Sequence, residues 1–168
     1  MFRHIIATIV AATLLSAGAT AEEVGRVGVD WIGNDIVIES FEDPEVTGVT
    51  CHVTYFDRSI IDRMQQGDWF EDPSNSSIDC RATGAITIGD IDLDRNGEDV
   101  FSERRALVFK SLVVKRIYDE ARNALIYLSH SREVNIGSAK MSISVVPLVG
   151  AEVGWEHGAP EDRVEITR

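Results

Sequence analysis

The chain has 168 residues, 44% of them hydrophobic, and carries 16 basic against 28 acidic side chains for a net charge of −12. One domain of ordinary size with a real core fits that length, and no internal repeat or low-complexity block marks a second. So acidic a surface is repelled by phosphate backbones and anionic lipid, which argues against nucleic acid as a partner.

Met1-Phe2-Arg3-His4 supplies a short basic start, Ile5 to Leu15 is an unbroken run of apolar residues and threonine, and Ala19-Thr20-Ala21 has the small-x-small pattern that signal peptidases cut. Residues 1–21 are therefore read as a cleaved signal peptide. The apolar run is about half of the roughly 20 residues a spanning helix needs, so no membrane anchor is expected after cleavage. All 28 acidic residues lie beyond residue 21 while one basic residue, Arg3, precedes it, so the mature part carries −13.

From Asp35 to Phe41, Ile36, Val37, Ile38 and Phe41 make a short β-branched run closed by Asp43-Pro44, which predicts a strand. Val49, Cys51, Val53 and Tyr55 alternate with Thr50, His52 and Thr54, the period of a half-buried strand, which turns His52 away from the core. Residues 58–66 have room for one or two helical turns. Gly67, Pro73 and Ser74-Asn75-Ser76-Ser77 break anything longer, and a long loop is expected here. Ile78, Cys80 and Ala82 alternate again. Ala106 to Tyr118 fits one face of a helix, but its β-branched and aromatic content favours a strand. Tyr118 to Asn123 is polar, and Leu125-Ile126-Tyr127-Leu128 returns as an apolar run, so the two runs are expected to form a hairpin. Met141 to Val149 is a last strand, interrupted at Pro147. The fold class that follows is mainly β, a single domain built as an antiparallel β-sandwich or open barrel with at most one or two short helices. Residues 150–168 read as an acidic, flexible tail.

Cys51 and Cys80 are the two cysteines, and in an exported chain an isolated even pair reads first as a disulfide. No C-x-x-C spacing supports redox catalysis, and no histidine cluster supports zinc.

The sharpest motif is acidic: Asp92, Asp94 and Asn96 alternate, Gly97 follows, and Glu103 stands at the spacing of a calcium-loop glutamate, with Glu98 between them. Calcium is the cofactor it would imply. Yet the preceding Ala85-Ile86-Thr87-Ile88-Gly89 is β-branched rather than helical, and Asp99 takes a position that such a loop fills with an apolar side chain. A solvated turn between strands is the preferred reading. Arg104, Arg105, Lys110, Lys115, Arg116 and Arg122 concentrate basic charge within nineteen positions. On alternating strands they would form a basic strip for an anionic ligand or an acidic partner surface; pairing with neighbouring carboxylates is the simpler alternative. No Gly-x-Ser-x-Gly, phosphate loop or His-Glu-x-x-His occurs, and His52, His130 and His157 are far apart, so no catalytic residue is assigned. A hydrolase would need a triad assembled by the fold.

Several stretches taken in order resemble the CreA family of exported bacterial proteins: Glu22-Glu23-Val24-Gly25, Phe41-Glu42-Asp43-Pro44, Val49-Thr50-Cys51, Cys80, Leu107-Val108-Phe109-Lys110-Ser111-Leu112, Tyr118-Asp119, Arg122-Asn123-Ala124-Leu125 and Ser142-Ile143-Ser144-Val145-Val146-Pro147. The resemblance covers residues 22–148 within a domain drawn over 22–149. It implies a periplasmic protein of Gram-negative bacteria, of unestablished molecular function, named for a locus linked to catabolite regulation. It transfers the cysteine pair as a disulfide and no catalytic residue. The expectation is a non-catalytic binding module of the cell envelope, partnered by an envelope protein or a small ligand.

Overall fold

A computed structural model describes residues 21–31, 33–57, 59, 61, 64, 76–104, 111–132 and 141–160. Within them nine strands form two sheets. β1 (Glu22–Gly28), β2 (Asp35–Asp43), β3 (Val46–Asp57), β4 (Ser77–Ile88) and β9 (Val153–Trp155) lie in the order β1-β2-β3-β4-β9, and β5 (Glu98–Arg104), β6 (Ser111–Asp119), β7 (Ala124–Arg132) and β8 (Met141–Pro147) in the order β5-β6-β7-β8. All neighbours are antiparallel except β4 and β9.

The alternation seen in the sequence is what closes the core. Val37 and Phe41 of β2, Val49, Cys51, Val53 and Tyr55 of β3, and Ile78, Cys80, Ile86 and Ile88 of β4 face inward. They meet Leu112 and Val114 of β6, Leu125 and Tyr127 of β7, and Val146 of β8. Phe41 stacks on Phe101 across the two sheets, ring centroids 4.7 Å apart. His52 is exposed, as the period required.

Cys51 and Cys80 stand directly opposite each other on β3 and β4 and are joined, with a sequence separation of 29. Further along the same pair the register shifts between Thr47 and Val49. Gly48 makes that bulge possible: its φ is +80°, and a Cβ there would lie 2.1 Å from the Ala85 carbonyl oxygen. Beside the disulfide the Cys80 N–H donates to Ser144 Oγ at 2.8 Å, and the same hydroxyl donates back to the Cys80 carbonyl at 3.3 Å. One serine of β8 thereby serves the open edge of β4 and ties the two sheets together.

The hairpin forms over β6 and β7. Its turn is closed by Arg122 and Asn123 N–H groups donating to the Asp119 and Glu120 carbonyls, and Asn123 takes the left-handed conformation asparagine tolerates, φ 46°. Residues 105–110 lie outside the described residues, so the strand expectation for 106–118 is met from Ser111 onward. The expected helical turn over 58–66 also falls mostly outside them; Ile61 and Met64 are helical and exposed. So do residues 1–20 of the expected signal peptide and 161–168 of the expected tail. The tail expectation misses one element: Val153–Trp155 adds β9 to β4, with Trp155 edge-on to Tyr118 at 5.5 Å. That strand is three residues long between glycines and acids, too short to show a period.

Candidate functional site

The acidic segment runs from strand to strand, β4 ending at Ile88 and β5 starting at Glu98. Its carboxylates serve its own backbone. Asp94 N–H donates to Asp92 Oδ1 at 2.8 Å, Asn96 N–H to Asp94 Oδ1 at 3.0 Å, and Gly97 N–H to the Asp94 carbonyl at 3.0 Å. These are successive Asx turns, the local bonding that aspartate offers wherever a chain must bend. Glu98 Oε2 accepts from the Asp92 N–H at 3.4 Å and also meets Arg116 Nη2. Glu103 is on β5 opposite Leu112, and its side chain lies outside the described residues. Among the described residues no three His, Cys, Asp or Glu side chains gather as a metal site.

Three of the six basic residues, Lys115, Arg116 and Arg122, have described side chains, and each meets a carboxylate. Lys115 pairs with Asp99 at 2.8 Å, and exposed Arg122 pairs with Asp119 at 3.2 Å. Arg104 ends β5, with its side chain outside the described residues, as are Arg105 and Lys110 altogether.

Arg116 itself is not on the surface. Its side chain is 1% exposed and sits between the sheets, where Nη1 donates to Asp43 Oδ1 and Nη2 to Glu98 Oε2. Tyr127 Oη donates to the other Asp43 oxygen at 2.9 Å, and Glu45 N–H to Oδ1 at 3.0 Å. β2, β5, β6 and β7 thus share one buried charge network. Burial foremost, then the Asp43 charge and hydrogen bond, pushes the Tyr127 phenol well above its ordinary value, against a smaller opposing effect of Arg116. The period contained the signal: Arg116 is in phase with Leu112 and Val114, the inward residues of β6.

No described histidine meets a nucleophile. His130 Nδ1 lies 3.3 Å from the Ser131 carbonyl, and the buried Ser129 hydroxyl bonds to Ser76 Oγ at 3.1 Å.

What remains to be explained is on the outside of the four-stranded sheet. Met141, Ile143 and Val145 occupy the outward positions of β8 at 65%, 59% and 49% exposure. They stand opposite His130, Leu128 and Ile126 of β7, all half-buried, and Ile126 in turn stands opposite Ile117 of β6. β8 contains no charged residue, while the edge strands β1 and β5 carry several. These outward side chains make a contiguous apolar row on an otherwise acidic chain. Sequence alone read this segment as a last strand interrupted at Pro147 and did not separate its outward residues from the core.

The family model described as CreA protein matches residues 24–151. Three relatives, each named Protein CreA, come from Escherichia coli strain K12, strain O6:H1 and serotype O157:H7. Each is 41% identical over 155 residues, covering 88% of this chain and 96% of the relative. No solved structure matches.

Proposed function

The chain belongs to the CreA family, and from that premise we propose that it is an exported periplasmic protein that binds another component of the cell envelope without chemistry of its own. The observation that carries this reading is the uncharged row Met141, Ile143 and Val145 on the outer face of the four-stranded sheet. Desolvating these side chains is favourable, at roughly 25 cal/mol per Å² of apolar surface. A strand with no charge of its own lets a partner approach a chain of −12 at the place of least like-charge repulsion. The signal-like residues 1–21 and the Cys51–Cys80 bridge suit an oxidising compartment.

The test is capture from envelope extract by the purified exported protein and by its Ile143→Asp/Val145→Asp variant. The reading expects fractionation to place the protein in the periplasm, and a component to be retained by the parent and lost by the variant. Retention of nothing, equal retention by both, or turnover of a substrate by the parent contradicts it.

A further inference from the structure

At the hairpin end of the same face lies a cavity of about 380 Å³, within the usual size of small-molecule sites, about 300–1,000 Å³. Its floor is the cross-strand pair Ile117 and Ile126. Leu93 and Arg95 enter from the loop between β4 and β5, Glu120 from the hairpin turn, and Pro160 from beyond β9.

Both movable walls are held. The loop is stiffened by the Asx turns at Asp92 and Asp94 and pressed onto β6 at Gly97. That residue has φ +66°, and a Cβ there would come within 2.6 Å of Ile117 Cγ1 and 2.5 Å of the Arg116 carbonyl oxygen. The turn is held by Asp119, which accepts from both the Arg122 N–H and its guanidinium. These contacts account for the acidic segment: its carboxylates shape a wall.

Two charged groups at the rim have no partner among the described residues. Arg95 and Glu120 are exposed and make neither an ion pair nor a side-chain hydrogen bond in the structure, whereas Asp119 and Arg122 satisfy each other. A free guanidinium suits a carboxylate, and a free carboxylate suits an ammonium group. The floor suits an aliphatic or aromatic side chain. A simple anion would be repelled by Glu120 and a simple cation by Arg95, so the rim selects a ligand that carries both charges.

We propose that this cavity binds a small zwitterion with an apolar side chain, the chemistry shared by a free apolar α-amino acid and a short apolar peptide. The inference goes beyond the docking reading, because this cavity can fill whether or not the apolar row of β8 is covered.

Calorimetric titration of the purified full chain tests it with L-leucine, leucyl-leucine, leucinamide, which lacks the carboxylate, and N-acetyl-leucine, which lacks the amine. Leucine or leucyl-leucine is expected to bind, and whichever binds more tightly identifies the source. Leucinamide and N-acetyl-leucine are expected to bind at least roughly tenfold more weakly, the scale of one lost charge-assisted hydrogen bond. Arg95→Gln should remove the preference for leucine over leucinamide, and Glu120→Gln the preference over N-acetyl-leucine. Both sites are exposed, so thermal melts should show each variant folded. The proposal fails if neither zwitterion binds at millimolar concentration, if the blocked forms bind as well as leucine, or if the two variants leave the preferences unchanged. Capture through Ile143 and Val145 is read separately, so either result stands without the other.

Discussion

Arg116→Met is the substitution that separates a buried network from a surface strip. The native guanidinium is 1% exposed and bonded to Asp43 and Glu98. Methionine fills much of the volume and removes the charge, leaving Asp43, whose side chain is 0% exposed, with Tyr127 and the Glu45 N–H as its described partners. Removing one member of a buried ion pair typically costs about 3–5 kcal/mol, because the other charge stays uncompensated. At 2–4 °C per kcal/mol for a domain near this size, the melting midpoint should fall by roughly 6–20 °C. Glu98 contributes less to that loss, since its side chain is 40% exposed and water takes over part of its solvation. Chemical denaturation of the parent, Arg116→Met, Asp43→Asn and the double variant measures it, and the double variant should recover part of the loss because the charge is gone along with its partner. Arg122→Met is the control, an exposed cation whose loss should stay within about 0.5 kcal/mol. Equal small effects at both arginines would refute the buried network.

Replacing Cys51 and Cys80 together by alanine should cost about 3–4 kcal/mol on the chain-entropy account of a loop this long, read as a lower denaturation midpoint. Tyr127→Phe leaves a buried oxygen of Asp43 without its donor and should cost about 1–3 kcal/mol. The Tyr127 phenol is held neutral in the folded state, so its contribution is complete below the unfolded tyrosine value near 10 and is lost as pH rises through the higher folded value. Stability of the parent should therefore fall above about pH 10 more steeply than that of Tyr127→Phe, and matching slopes would count against the assignment. Gly48→Ala forces both a strained φ and a backbone collision and should destabilise by at least about 1–3 kcal/mol, in contrast to Gly84→Ala, which meets nothing within 4 Å. Calcium at millimolar concentration should leave the melting temperature unchanged, because Glu98 is committed to Arg116 and Asp92 and Asp94 to their own backbone; a rise would revive the ion site.

Much of the fold was legible because period-2 patterning is a direct consequence of burying one face of a strand. Val49 to Tyr55 fixed both the strand and the exposure of His52, and the polar turn at Tyr118 to Asn123 fixed the hairpin. The burial of Arg116 was missed because residue type outweighed phase: arginine is usually a surface residue, and its burial rests on Glu98 and on the Asp43 carboxylate, 73 residues away in sequence. The calcium-like spacing carried two readings from the start, since aspartates at alternate positions suit an ion and a series of Asx turns equally well. The outward residues of β8 were not separable from the core because Ile143 and Val145 look like core residues until the other side of the strand is known to be buried.

The central claim is that the outer face of the four-stranded sheet meets another envelope component. A photocrosslinking amino acid placed at Ile143, in the bacterium that makes the protein, tests it most directly, with the same group at exposed His52 on the five-stranded sheet as the control. A discrete adduct from position 143 and none from position 52 is the predicted result. No adduct from 143, or the same adduct from both positions, would contradict it.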